Sequence, residues 1–295
     1  MTFITGIAFL GGLTFVLASI LIVAHRKLAV FEDPRIDAVE DLLPHVNCGA
    51  CGQAGCRAFA QALVIGTAKP GECTVGSETM KQQIAEFLGV EVGEASKRVA
   101  RLACNGGNNV ARMNARYVGE PTCLAAAQVS GGGKTCAWGC LGYGDCERAC
   151  SFDAIHMNSH ALPVVDESQC TACGDCVTVC PKDLFSIHAV SHHLWVRCKN
   201  QEMGDDILHY CEVACTACGR CAMDASDVIV MKNNLPVVNY ATANSTTNAN
   251  NTQPRDAIQR CPTGAIVWID TEGKVMSGRD SKTIVRQAPL EPLPS

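Results

Sequence analysis

The sequence carries no G-x-S-x-G nucleophile elbow, no Walker loop and no G-x-G-x-x-G strand–turn–helix fingerprint. It therefore has no evident nucleotide or flavin site of its own, and any substrate chemistry must occur on partners. Charge is scarce too. Asp, Glu, Lys and Arg make up 18% of the 295 residues against 47% apolar, a balance that excludes wholesale disorder. The formal charge of −5 and a pI near 5.9 leave no general basic surface for nucleic acid. From Phe3 to Ala24 there is no charged side chain at all. What is abundant is cysteine, twenty in all. A secreted disulfide scaffold is usually short and needs an export signal. The alternative is metal ligation, and spacing decides between the two.

The uncharged run is 22 residues long. As a helix at ~1.5 Å per residue it spans about 33 Å, which matches a bilayer core of roughly 30 Å. No positive charge precedes it and no small-residue cleavage site ends it, so it reads as an anchor rather than a cleaved leader or a buried core helix. Arg26 and Lys27 follow directly and place the rest of the chain in the cytoplasm. That compartment is reducing and leaves the thiols free for metal.

The remaining chain divides into residues 26–80 with a first cysteine group, a helical connector 81–135, two cysteine-rich units at 136–190 and 191–270, and a tail 271–295. Within 77–103 the apolar spacing, broken by Gly89 and Gly93, predicts two short helices. Gly131–Gly133 mark a loop and a boundary. The tail is polar, ends with three prolines and is expected to be poorly ordered. AIHMNSHALPVVD (154–166) resembles VIVMKNNLPVVN (228–239), and each copy reads as a β-hairpin between two cysteine groups. The predicted fold class is α+β: one N-terminal transmembrane helix, a small four-Cys domain and two ferredoxin-like units, the second degenerate.

Cys170-x2-Cys173-x2-Cys176-x3-Cys180-Pro181 has the bacterial ferredoxin spacing for a [4Fe–4S] cluster, in which the fourth Cys crosses to the other cluster of a pair. Zinc ribbons instead use separated CxxC pairs. The upstream partner is Cys136-x3-Cys140-x5-Cys146-x3-Cys150, with Tyr143 where a standard run has cysteine. Crossing assigns Cys136, Cys140, Cys146 and Cys180 to one cluster, and Cys150, Cys170, Cys173 and Cys176 to the other. In the second unit Cys215, Cys218 and Cys221 are intact, but Ala225 and Ser226 replace Cys-Pro, and no further cysteine occurs before Cys261-Pro262. Crossing makes Cys215, Cys218, Cys221 and Cys261 one complete site. The rival fourth ligand is Cys211, whose spacing to Cys215 repeats that of Cys136 to Cys140.

The first group, Cys48, Cys51, Cys56 and Cys73, packs four thiols into 26 residues among Gly49, Gly52 and Gly55. It suits a fourth cluster, with zinc as the alternative. Four cysteines are left over: Cys104, Cys123, Cys198 and Cys211. Their number allows a fifth cluster, whereas their wide separation favours buried free thiols. The histidines, including His45, His192 and His193, show no ligand spacing and read as surface or packing residues. Trp138 beside Cys140 reads as cover for a cluster.

A single N-terminal membrane helix, then VNCGACGQAGCRAFAQALVIGTAKPGEC (46–73), CAWGCLGYGDCERAC (136–150) and CTACGDCVTVCP (170–181), resembles the B subunit of the Rnf complex. The resemblance reaches about Asp270, and the longer members also resemble this chain at ACNGG (103–107) and around Cys198 and Cys211. It implies the electron-entry subunit of a membrane-bound, Na⁺- or H⁺-translocating ferredoxin:NAD⁺ oxidoreductase. On that reading the chain is single-pass in the inner (cytoplasmic) membrane. Its [4Fe–4S] clusters, four by the assignment above, face the cytoplasm. They take electrons from soluble ferredoxin and pass them to membrane and flavin-carrying subunits. The chain departs from relatives that have two full runs in the last unit. Two rivals are an electron-transfer subunit of another membrane redox enzyme, such as a hydrogenase, and a non-redox metal-binding sensor.

Overall fold

The uncharged run forms one helix, α1 (Thr2–Leu28). Its apolar window Thr5–Ala24 has mean hydropathy 2.5, and none of that window is buried against the rest of the chain. Phe9, Phe15 and Leu21 stand exposed. A helix apolar on every face that packs on nothing among the described residues has the length and surface of a bilayer-spanning element. The structure, a computed structural model, describes residues 2–28, 32–93, 97–243, 254–270 and 272–290. Most of the Asn/Thr/Ala stretch before Cys261 lies outside them.

The first cysteine group sits on a three-helix domain. Helix α2 (Pro34–Leu42) starts with Pro34 in its first turn, and the carboxylate of Asp33 accepts from the Arg35 amide at 2.9 Å. Helix α3 (Cys56–Ile65) ends on Gly66 in the left-handed region. Helix α4 (Glu78–Leu88) is capped by Ser77, whose hydroxyl accepts from the Met80 amide, and ends on left-handed Gly89. Val39, Phe59 and Ile84 meet in its core at 1% exposure or less. Such burial contributes about 1.5–3 kcal/mol per side chain. On the surface Arg57 bridges Glu32, Asp37 and Glu40, tying α3 to α2.

After Gly89 the expected second helix is instead a strand, β1 (Arg98–Leu102). RVARL puts Val99, Ala100 and Arg101 into buried positions, and antiparallel pairing with β4 overrides any local helical spacing. Next come helices α5 (Cys123–Gln128) and α6 (Asp145–Arg148), strands β2 (Ile155–Met157) and β3 (Pro163–Val165), helix α7 (Asp175–Val179) and β4 (Phe185–Ala189). The second unit holds β5 (Leu194–Val196), helix α8 (Arg220–Asp224), β6 (Ile229–Lys232), β7 (Leu235–Val238), α9 (Tyr240–Ala243), β8 (Ile266–Ile269) and β9 (Val275–Met276).

Both hairpins form where the repeat places them. β2 pairs with β3 and β6 with β7, antiparallel. In the second, Asn233 and Asn234 both take positive φ (48° and 62°), as a two-residue turn between right-twisted strands requires. In the first, the Asn158 side chain accepts from the His160 and Leu162 amides. The repeat also extends beyond the hairpins. Each unit is closed by an antiparallel pair between its opening strand and the strand after its Cys-Pro: β1 with β4, and β5 with β8.

The tail is not loose over its described part. The Leu290 amide donates to Asn108 O at 2.9 Å, the Asn109 side-chain amide donates to Arg286 O, and Arg286 pairs with Glu212 at 2.9 Å. Ile284 packs on the apolar cluster of Val110, Ile207 and Val213. Polarity and proline suggested disorder, but long-range partners on both units hold the segment in place.

Candidate iron–sulfur sites

The ferredoxin loops share one backbone recipe. In Cys170-Thr-Ala-Cys-Gly and Cys215-Thr-Ala-Cys-Gly, Ala172, Gly174, Ala217 and Gly219 all have positive φ, from 56° to 93°. Each loop therefore curls, so that its cysteines face one point before a short helix begins. At Cys140–Cys146 the loop repeats this curl, with Gly142 and Gly144 at positive φ, but Tyr143 stands at the middle thiol's position.

Three of the expected four-cysteine sets each line one small cavity. Cys48, Cys51, Cys56 and Cys73 line the first. Cys150, Cys170, Cys173 and Cys176 line the second. Cys215, Cys218, Cys221 and Cys261 line the third. Cys150 and Cys261 thus line the cavities of the sets to which crossing assigns them. Cys211 is absent from the last cavity's wall, against the rival assignment.

The set expected at Cys136, Cys140, Cys146 and Cys180 is not assembled that way. Cys136 turns to a separate cavity that it shares with Cys104, Cys198 and Cys211. Trp138 lines that cavity too. Cys123, left over in the sequence, comes to the Cys140 loop instead. It opens α5, and the next amide, of Leu124, donates to the Asp145 carboxylate beside Cys146 at 3.1 Å. Burial pushes the Cys146 thiol up to about 12, with Cys123 and Cys180 as its strongest charged thiol neighbours. The exchange was hard to see in the sequence because Cys123 lies 17 positions before Cys140, outside any local motif. Tyr143 was the one signal that a ligand had to come from elsewhere.

Do these residues fit a cluster? Zinc at about 2.3 Å from each sulfur needs thiolates roughly 3.8 Å apart. Among the described residues, no group of three or more His, Cys, Asp or Glu side chains converges closely enough to hold a single ion. Four thiols around a wider apolar void suit the corners of a cube. Burial pushes the thiols of Cys140, Cys176, Cys198 and Cys211 up to about 12, and those of Cys215 and Cys221 to about 11. Thiolates in such places need compensating positive charge, which iron supplies.

Backbone amides point at the sulfurs as well. Ala154 donates to Cys150 and Leu184 to Cys180, both at 3.4 Å and both four residues on, a matched pair across the two crossing ligands. The Ala100 amide of β1 donates to Cys170 at 3.4 Å, so the unexpected strand reaches this set of thiols. The histidines behave as packing groups. His192 stacks on Tyr240 at 3.8 Å between centroids, and His188 meets Trp195 edge-on at 4.7 Å.

Comparison with known proteins agrees with this chemistry. The FeS family of Fe-S cluster domains matches residues 43–75, and the 4Fe-4S dicluster domain family matches residues 135–184. The B subunit of the Na(+)-translocating ferredoxin:NAD(+) oxidoreductase complex of Acetobacterium woodii is 36% identical over 266 residues, covering 90% of this chain and 76% of the relative. The B subunit of an ion-translocating oxidoreductase complex of Methanosarcina acetivorans is 38% identical, covering 74% and 83%. The B subunit of the proton-translocating ferredoxin:NAD(+) oxidoreductase complex of Clostridium ljungdahlii is 37% identical, covering 84% and 86%. With its iron–sulfur domains and its exposed apolar helix, the chain belongs to this Rnf-type B-subunit family, the membrane-associated electron-transfer subunits of ion-translocating oxidoreductase complexes.

Proposed function

We propose that the chain accepts electrons from reduced soluble ferredoxin on the cytoplasmic side of the inner membrane. It hands them to membrane and flavin-carrying subunits of a ferredoxin:NAD⁺ oxidoreductase that moves Na⁺ or H⁺. Helix α1 crosses the bilayer once and tethers the cytoplasmic domains. Of the alternatives, a zinc sensor and a hydrogenase component, the first is disfavoured by the spread of the thiols and the second by the three relatives named above.

The observation that carries this reading is the set of three cavities, each ringed by four cysteines in the expected grouping. Their thiolates would hold three [4Fe–4S] clusters, and Cys140, Cys146 and Cys180 with Cys123 in place of Cys136 would hold a fourth. Bound there, each cluster supplies one-electron redox chemistry. The protein's own part is to hold the thiolates in place, exclude water, and set the potential through amide hydrogen bonds and burial. Cys218, the one exposed ligand thiol, brings the last set to the surface, where a partner protein could meet it.

The test is anaerobic reduction of the detergent-solubilised full chain by stoichiometric reduced ferredoxin, followed by visible bleaching and EPR. Rapid bleaching with [4Fe–4S]⁺ signals is expected. A protein that carries zinc, or that ferredoxin leaves oxidised, overturns the proposal. Cys123→Ala should lose about four irons and one signal. Unchanged iron in that variant would return Cys136 to the set.

A further inference from the structure

We propose that Cys104, Cys136, Cys198 and Cys211 bind a fifth [4Fe–4S] cluster at the junction of the two ferredoxin-like units, and that this site connects them electrically. The proposal rests on the reading of the other sets as [4Fe–4S] sites.

The four thiols are far apart in sequence but line one small cavity, as each of the other four-cysteine sets does. They also arrive there by symmetry. Cys104 lies two residues past the end of β1 and Cys198 two residues past the end of β5, the equivalent opening strands of the two units. Cys136 and Cys211 each stand four positions before the first cysteine of their unit's run, Cys140 and Cys215. Each unit thus contributes one equivalent pair, and neither pair is complete alone.

The hydrogen bonds repeat the symmetry. The Gly106 amide donates to Cys104 Sγ and the Asn200 amide to Cys198 Sγ, both at 3.4 Å and both from two residues on. The Cys140 amide donates to Cys104 Sγ and the Cys215 amide to Cys198 Sγ, again at 3.4 Å. Buried free thiols do not require four amides trained on two sulfurs, whereas thiolates carrying the negative charge of a cluster do. Lys134 Nζ, held by the carbonyls of Gly106 and Cys140 at 2.5 and 2.6 Å, and Arg197 place cations on the same wall. At Gly106 a Cβ would come within 3.1 Å of Cys211 Sγ, so the missing side chain keeps the site open.

The same contacts make the site a connection. Cys104 is hydrogen-bonded to a ligand of the first unit's set, and Cys198 to a ligand of the second unit's set. A single electron originating on ferredoxin crosses from one unit to the other through these contacts, with one set oxidised as the next is reduced and no bond made or broken.

The test is iron, acid-labile sulfide and zinc analysis of the anaerobically purified full chain in detergent, with spin quantitation by EPR. About 20 irons and 20 sulfides per chain are expected. Cys104→Ala and Cys198→Ala, from different units, should each lose about one fifth of the iron and the same EPR component. The double variant should lose no more than either alone. About 16 irons in the wild type, with or without a bound zinc, would overturn the fifth site while leaving the proposed function intact. So would separate or additive losses in the two variants. A wild type without iron would instead overturn the proposed function. The wild-type count decides the matter even where a variant fails to fold.

Discussion

Arg101 shows how a single residue can hold a unit together. It is 4% exposed on β1 and pairs with Glu167 at 2.6 Å, while its Nε and second terminal nitrogen have no hydrogen-bond partner among the described residues. Removing Glu167 would strand a buried charge, which typically costs about 3–5 kcal/mol. Glu167→Ala should therefore lower the denaturant midpoint of the cytoplasmic domains, read by loss of cluster absorbance, whereas replacing both partners with apolar residues should recover much of the loss. Nearby, burial, then the charges of His192, Arg101 and Arg98, lower the His188 pKa to about 4. Its Nδ1 lies 3.3 Å from that of His192, an approach that suits neutral rings. With a folded pKa below the unfolded value of about 6.5, the stability from keeping this ring neutral is present above that value. It is lost as pH falls from about 6.5 towards 4. Wild type should lose stability over that interval faster than His188→Gln, and parallel pH profiles of the two would contradict the assignment.

At the scale of elements, α1 and β1 have opposite origins. Helix α1 follows from composition alone, because a long uncharged apolar run leaves no face that prefers water. Removing residues 1–28 should leave a brown protein that needs no detergent and keeps its full iron content, since nothing in the Thr5–Ala24 window is buried against the cluster domains. Loss of iron on truncation would mean that the helix also supports a site. Strand β1 exists because β4 offers it a partner, with Val99 opposite His188 and Leu102 opposite Phe185. Its local spacing fits a helix as well as a strand, and only the cross-strand neighbour decides.

For the whole molecule, the arrangement is two related units with the tail laid across their junction. Cys261, 40 positions beyond Cys221, lines the last set's cavity, and Cys211 lines the junction cavity instead. Cys261→Ala should lose the signal of the last set and leave the others. Cys211→Ala should leave that signal in place. If only the Cys211 variant loses it, the crossing assignment in the second unit is wrong.

The sequence by itself determined the elements whose chemistry is local. The apolar helix, the C-x2-C-x2-C loops and the two hairpins are each specified by residues close together along the chain, and the structure places all of them where spacing put them. The placing of Cys150 and Cys261 on the walls of the Cys170 and Cys215 cavities was legible for a related reason, since each three-cysteine loop leaves one side to be filled from elsewhere in the chain. Tertiary structure alone decided which of the distant thiols meet. Cys123 reaches the Cys140 loop because α5 docks there beside Asp145. Cys136 in turn joins Cys104, Cys198 and Cys211 because β1 and β5 set equivalent strand ends facing each other across the junction. Sequence separation carries no information about such meetings. They depend on how two copies of one small unit pack, through the backbone bonds of Val110 and Arg112 with Glu212 and Tyr210 and the Trp195 indole donating to Leu102 O, all between segments far apart in the chain.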